Sequence, residues 1–328
     1  MAPVSTDLTE ASVTAKLDSS VREQLGRFVA YMDTQNRVTL LSYAKVNLTL
    51  EVSRLRPDGF HDIDSIAQII GLTDELVVER ADEGVIEVAT VHGDAPSGKD
   101  NTVHKACEVF FAATGIRGGA RCVLAKSIPA QAGLGGGSGN AAAGIAGLSR
   151  LYACDLSVNG MAAMAARVGS DAALFVHGGT IRMRGRGEQV EPLPDAPELH
   201  LVVVKPELGV STAWAYGELD KSDRNRAECR SDAAERAIRS GDRAALIECL
   251  ANDFDPVVTA AFPEIGRAKQ LLRGAGAEVA MLCGSGSAVF GVFESAEAAR
   301  LAGDGLKGEF AHIFVTRTLS RSESALAV

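Results

Sequence analysis

Lys126-Ser127-Ile128-Pro129-Ala130-Gln131-Ala132-Gly133-Leu134-Gly135-Gly136-Gly137-Ser138-Gly139-Asn140 is the segment that orders the reading of this chain. Before it, Ala120–Lys126 has the apolar pattern of a strand. After it, Asn140–Tyr152 is an Ala-rich run that predicts a helix. Four of the five residues 135–139 are glycine. Glycine permits positive φ and lets a ligand approach the backbone closely. The first N–H groups of the following helix have no internal partner. With the helix macrodipole they form a site suited to a chain of phosphates. Ser138 adds a hydroxyl for a phosphate oxygen or a magnesium ion. A strand, this loop and a helix in succession favour phosphate binding over a purely structural turn. The loop is not a Walker A motif, because no Gly-Lys-Ser/Thr follows the glycines. Nor does an acidic residue end a strand about 20 residues on, as a dinucleotide fold requires.

Two further segments bear on chemistry at that loop. Asp171, in Gly169-Ser170-Asp171, runs straight into apolar Ala172-Ala173-Leu174-Phe175-Val176. A carboxylate against apolar chain is costly unless paired. Lys45, in Tyr43-Ala44-Lys45-Val46-Asn47-Leu48, sits inside a predicted strand among apolar neighbours. Together they suit transfer to a hydroxyl, with Asp171 accepting the proton and Lys45 holding the negative charge. A helix-capping aspartate, or a buried structural ion pair, is the competing account. Gly284-Ser285-Gly286-Ser287 lies between two predicted strands, as a hairpin-like turn or as a second loop approaching a substrate.

Along the chain, Leu17, Val21, Leu25, Phe28 and Met32 predict an amphipathic helix within an N-terminal extension, residues 1–36. Strands are expected at Arg37–Arg54, Ile63–Ile70, Glu75–Glu79 and Val85–Val91, with a turn at Arg56-Pro57-Asp58-Gly59. A helix over Asp100–Ala113 precedes the glycine loop, and Ser157 caps another running to Val168. Strands at Leu174–Val176, Thr180–Arg184 and Leu199–Val204 follow. Helices come next at Ser231–Arg239, Ala244–Leu250 and Phe262–Leu272. Strands at Val279–Leu282 and Ala288–Phe293, a helix at Ser295–Leu306 and a strand at Ile313–Thr318 complete the chain. Without regular strand–helix alternation the class is α+β. The Gly- and Pro-interrupted stretch 185–198 marks a boundary, giving domains at 37–190 and 191–328.

Composition narrows the function classes. With 328 residues, 46% of them hydrophobic, the chain is long enough for about two domains. A net charge of -9 without a dense Lys/Arg run argues against a nucleic-acid or anionic-membrane surface. No apolar run reaches membrane-spanning length and no secretory signal is visible. The six cysteines form no C-x-x-C pair, so they read as small buried hydrophobes in a reducing cytoplasm.

In combination, these segments resemble the GHMP kinase superfamily. Pro129–Ala143 is similar to its phosphate loop, Tyr43–Leu48 to its N-terminal motif and Cys283–Ser287 to its C-terminal one. Arg56-Pro57-Asp58-Gly59-Phe60-His61, Asp100-Asn101-Thr102, Val168–Asp171, Gly185-Arg186-Gly187-Glu188 and Val210–Tyr216 resemble the branch that acts on diphosphocytidyl-methylerythritol. The matches are colinear from about residue 40 to 318.

The resemblance implies an α+β GHMP kinase fold of two domains with the active site in the cleft between them. It implies ATP and Mg2+ as cofactors, a small-molecule acceptor, no nucleic acid or membrane partner, and a monomer or homodimer. Lys45 and Asp171 take the catalytic roles. Pro129, Ala130, Gln131, Ala132, Gly133, Leu134, Gly135, Gly136, Gly137, Ser138, Gly139 and Asn140 surround the ATP phosphates, with Ser138 on the metal. Asn101, Thr102 and Lys126 surround the adenosine. Phe60 and Tyr216 sandwich the cytosine and His61 bonds its edge. Asn47, Thr212, Gly284 and Ser285 line the rest of the acceptor. Three positions depart from the pattern: Gly139 replaces a serine, Asn140 an aspartate, and Ala172-Ala173 a Val-Pro. A different acceptor, such as homoserine or a mevalonate derivative, or a non-catalytic nucleotide-binding relative, are the alternatives.

Overall fold

The computed structural model describes residues 35–222 and 229–326. The helix expected over residues 17–32 lies outside the described residues. Two sheets carry the fold. In the first, β1 (Arg37–Leu55) and β2 (His61–Ala81) form a long antiparallel pair joined through the Asp58-Gly59 turn. The far side of β2 is shared between two partners. Its first half pairs with β5 (Thr180–Gly185), which turns into β6 (Gln189–Pro192). Its second half pairs with β4 (Gly119–Ala125), which runs parallel to β3 (Ile86–His92). The second sheet is antiparallel, in the order β11 (His312–Arg317), β7 (His200–Lys205), β10 (Val289–Phe293), β9 (Val279–Leu282). Short β8 (Ala251–Asn252) pairs in parallel with Thr49 and Leu50 of β1, tying the later chain to the first sheet.

Helices α1 (Thr102–Thr114), α2 (Gly136–Leu151), α3 (Val158–Ala166) and α4 (Ala172–His177) share one core with the first sheet, rich in alanine because aromatics are scarce. Ser157 does cap α3, its hydroxyl accepting from the Gly160 N–H at 3.1 Å. Later come α5 (Thr212–Lys221), α6 (Arg230–Ser240), α7 (Arg243–Cys249), α8 (Phe254–Ala261), α9 (Pro263–Gly274), α10 (Ala296–Gly305) and the single turn α11 (Arg321–Ser324). A second core joins the sheets, with Ala44, Val46, Leu48, Ile66 and Ile70 against Leu201, Val203 and Phe290.

The strand expected at Leu174–Val176 is instead the middle of α4. Its apolar run is buried all round, which erases the periodicity that tells a strand from a short helix. The cysteine reading holds for Cys107, Cys122 and Cys283, which are buried. Cys229 is exposed, held near the Glu51 carboxylate, so its surroundings are polar. Among the described residues no helix is long and apolar enough to cross a membrane.

Candidate active site

The glycine loop leaves β4 and opens α2, as its sequence demands. Gly135 stands at the N-cap of α2 with φ 73, a left-handed conformation, so the first turn begins sharply. The loop's base is fixed by a residue that the sequence did not single out. Asp74 is fully buried; its Oδ1 accepts from the Ser127 and Ile128 N–H groups at 2.7 and 2.8 Å, and its Oδ2 takes the Lys126 ammonium. Asn140 completes the cluster, with Nδ2 donating to Asp74 Oδ2 at 2.8 Å and to Ser42 Oγ at 2.9 Å, while its Oδ1 accepts from Lys126 Nζ at 3.1 Å. Asn140 thus serves as donor to Asp74, a task an ionised aspartate cannot perform.

Above the cluster lies a cavity of about 360 Å3, walled by residues 129–138, Asn101, Thr102, Lys126 and Asn140. Thr102 Oγ donates to the Gly137 carbonyl at 2.7 Å, tying α1 to the loop. The polar ends of Asn101 are engaged: Oδ1 caps α1 through Val103 N–H at 2.9 Å and Nδ2 donates to the Pro96 carbonyl at 2.6 Å. Gly139 faces away from the cavity, where a Cβ would lie 2.6 Å from the Tyr43 carbonyl.

A second chamber of about 200 Å3 shares Gly133 and Gly135 with the first, and Lys45 and Asp171 both line it. Lys45 is anchored to the loop itself, its N–H donating to the Leu134 carbonyl at 2.9 Å. Its ammonium stands 3.7 Å from Asp171 Oδ2 and donates to Asn47 Oδ1 at 2.6 Å. Asn47 is steadied in turn by Nδ2 donating to Ser65 Oγ at 2.8 Å. Asp171 occupies the N-cap position of α4, yet its side chain makes no capping bond. The capping account therefore fails, and the carboxylate, 37% exposed, faces the chamber beside a lysine that is 6% exposed. Ala172-Ala173, both buried, fix that helix in the core without the Val-Pro of the resembling pattern.

The second glycine turn closes this chamber. Ser285 Oγ lies 2.9 Å from Thr212 Oγ. Asn252 holds the turn from behind, Nδ2 donating to the Leu282 and Gly284 carbonyls at 2.9 and 2.7 Å. Between the turns, burial pushes the Cys283 thiol up to about 12, so it is a neutral spacer. Tyr216 also lines the chamber, and burial, then the Asp171 charge, raises its phenol. His61 stacks on Tyr216 with ring centroids 4.8 Å apart, and its Nε2 lies 2.8 Å from Asp220 Oδ1. Phe60, 45% exposed, carries the Arg186 guanidinium 3.6 Å over its ring. So His61 and Tyr216 meet, while one face of Phe60 is taken by an arginine that the sequence left without a role.

A glycine loop opening a helix, joined to a pocket that holds an acid–cation couple, is the arrangement expected of a small-molecule kinase of the GHMP class. The family descriptions GHMP kinases N terminal domain and GHMP kinases C terminal match residues 101–179 and 234–312. The chain is 41% identical to the 4-diphosphocytidyl-2-C-methyl-D-erythritol kinase of Pelotomaculum thermopropionicum, over 86% of this chain and 98% of that one. It is also 41% identical to the enzyme of that name from Moorella thermoacetica, over 86% and 99%. A crystal structure of 4-(cytidine 5'-diphospho)-2C-methyl-D-erythritol kinase superposes with TM-score 0.73 at 31% identity, covering 86% of this chain and 99% of that one. A homoserine kinase from Cytophaga hutchinsonii, at 19% identity and TM-score 0.70, shares the fold. The chain belongs to the 4-diphosphocytidyl-2-C-methyl-D-erythritol kinase family.

Proposed function

We propose that this enzyme transfers the γ-phosphoryl group of ATP to the 2-hydroxyl of 4-diphosphocytidyl-2-C-methyl-D-erythritol, a step of the non-mevalonate isoprenoid pathway, in the cytoplasm. The observation that carries the reading is the Lys45–Asp171 couple, 3.7 Å apart, on the wall of a chamber that shares Gly133 and Gly135 with the phosphate cradle. Asp171 takes the hydroxyl proton as the oxygen attacks. Lys45 keeps that carboxylate ionised and stabilises charge developing on the oxygen. Backbone N–H groups at the start of α2 hold the phosphates in line.

Magnesium suits this site as a phosphate-held ion. Ser138 offers one hydroxyl on the first turn of α2, and among the described residues no group of three acids, histidines or cysteines surrounds it. Mg2+ commonly keeps few protein ligands and binds through substrate phosphates, where it neutralises their charge. Phe60, His61 and Tyr216 are assigned to the cytosine, and Asn47, Thr212, Gly284 and Ser285 to the methylerythritol diphosphate. In this reading residues 37–190 form the nucleotide half and 191–328 the second half.

The test is an acceptor panel with magnesium ATP, followed by 31P NMR of the product. Phosphorylation of diphosphocytidyl-methylerythritol with homoserine and mevalonate untouched supports the assignment. Turnover of either of those in its place refutes it.

A further inference from the structure

A cavity of about 540 Å3 opens along β9, the edge strand of the second sheet, and shares no lining residue with either chamber of the active site. Leu250, Pro256, Val279 and Met281 give it an apolar wall, and Lys269 and Arg273 of α9 supply two cations. Lys269 is largely buried and pairs with Asp255, which leaves further N–H donors on its ammonium. Arg273, exposed on the last turn of α9, has no carboxylate partner among the described residues, whereas Arg267 on the same helix pairs with Glu309. A point charge beside a planar five-donor fork, next to aliphatic surface, matches a phosphate head with a short hydrocarbon body.

The inner wall of this cavity is also the outer support of the second glycine turn. Asp255 Oδ2 accepts from the Leu282 N–H at 3.2 Å, and Asn252 Nδ2 donates to the Leu282 and Gly284 carbonyls. Anything that engages Lys269 therefore bears on the residues that hold Gly284 and Ser285 against the acceptor chamber.

We propose that this cavity is a second binding site, for a phosphate monoester carrying a short aliphatic chain, and that its occupation stiffens the Cys283–Ser287 turn. The site is independent of the acceptor's identity. The test titrates hexyl phosphate calorimetrically into the full chain, with the phosphate cradle saturated by a non-hydrolysable ATP analogue. The same samples are followed by hydrogen exchange. Saturable one-to-one binding is expected, with inorganic phosphate and hexanol each weaker by at least about tenfold, since head and tail both contribute. Arg273→Met, an exposed position, is expected to weaken hexyl phosphate by about tenfold and leave unliganded turnover unchanged. Amides 283–287 are expected to exchange at least about threefold more slowly in the complex. Absence of saturable binding, equal binding by Arg273→Met, or unchanged exchange at 283–287 overturns the proposal.

Discussion

Gly133 and Cys283 meet across the two glycine turns so closely that a Cβ on Gly133 would lie 1.8 Å from the Cys283 carbonyl oxygen. The turns are further joined by backbone bonds from Ser287 N–H to the Gln131 carbonyl and from Ala288 N–H to the Ala132 carbonyl, at 3.2 and 3.1 Å. The two glycine turns, proposed to hold the ATP phosphates and the acceptor, are thus one mechanical unit.

Gly133→Ala therefore strikes both sides. Besides the clash, the residue has φ 75, a left-handed conformation that costs an L-residue about 1–2 kcal/mol. The variant is expected to melt earlier and to lose affinity for ATP and acceptor together, measured by calorimetry on each. Loss confined to one ligand contradicts the joint.

Gly139→Ser restores the residue of the resembling pattern, and the structure expects it to harm. Its Cβ would sit 2.6 Å from the Tyr43 carbonyl and 3.0 Å from Ser42 Oγ, where α2 packs on β1. Overpacking of this kind costs about 1–3 kcal/mol. Chemical denaturation reads the loss, and tighter nucleotide binding in a fully stable variant would refute it.

Lys45→Met removes the ammonium while keeping an unbranched side chain in a buried position. Turnover is expected to fall by about a hundredfold or more, as when one stabilising group facing a developing charge is lost. Nucleotide affinity stays within a few-fold, because the anchor to the loop is the Lys45 backbone N–H. Single-turnover kinetics beside equilibrium ATP binding separates the two effects.

The C-terminal turn gives a pH dependence. The Arg317 guanidinium, then the Ser320 N–H and hydroxyl, hold the Glu323 carboxyl down from near 4.5 to about 2. A depressed carboxyl stabilises the fold above its ordinary range, and the contribution fades as pH falls from near 4.5 toward 2. Both side chains are 41% exposed, so solvent screening limits the effect to about 0.2–1 kcal/mol. Glu323→Gln is expected to melt below the parent at pH 6 and with it near pH 2. A constant gap across that range contradicts the assignment.

The glycine loop, Lys45 and Asp171 were legible in the sequence because each breaks a local rule: too many glycines, a lysine inside a strand, an acid beside apolar chain. Asp74 breaks the same rule in β2, but its partner Lys126 is remote in the chain, and β2 offered no loop to draw the eye. Asn252 acts through two carbonyls of a distant turn, which no local pattern records. Helix α5 carries Trp214, Tyr216 and Gly217, all weak helix formers, so its propensity was hidden until Ser211 is seen capping it. The apolar run after Asp171 forms a helix where a strand is expected, because a run buried all round carries no periodicity.

Asp171→Asn is nearly isosteric, and the native side chain makes no capping bond to α4. Turnover of diphosphocytidyl-methylerythritol by this variant, measured beside its affinity for ATP, tests the central claim most directly. Turnover reduced by at least about a hundredfold, with ATP affinity unchanged, is the expected result. Turnover near that of the parent would show that the carboxylate beside Lys45 does not take the proton, and the mechanism derived from their proximity would be wrong.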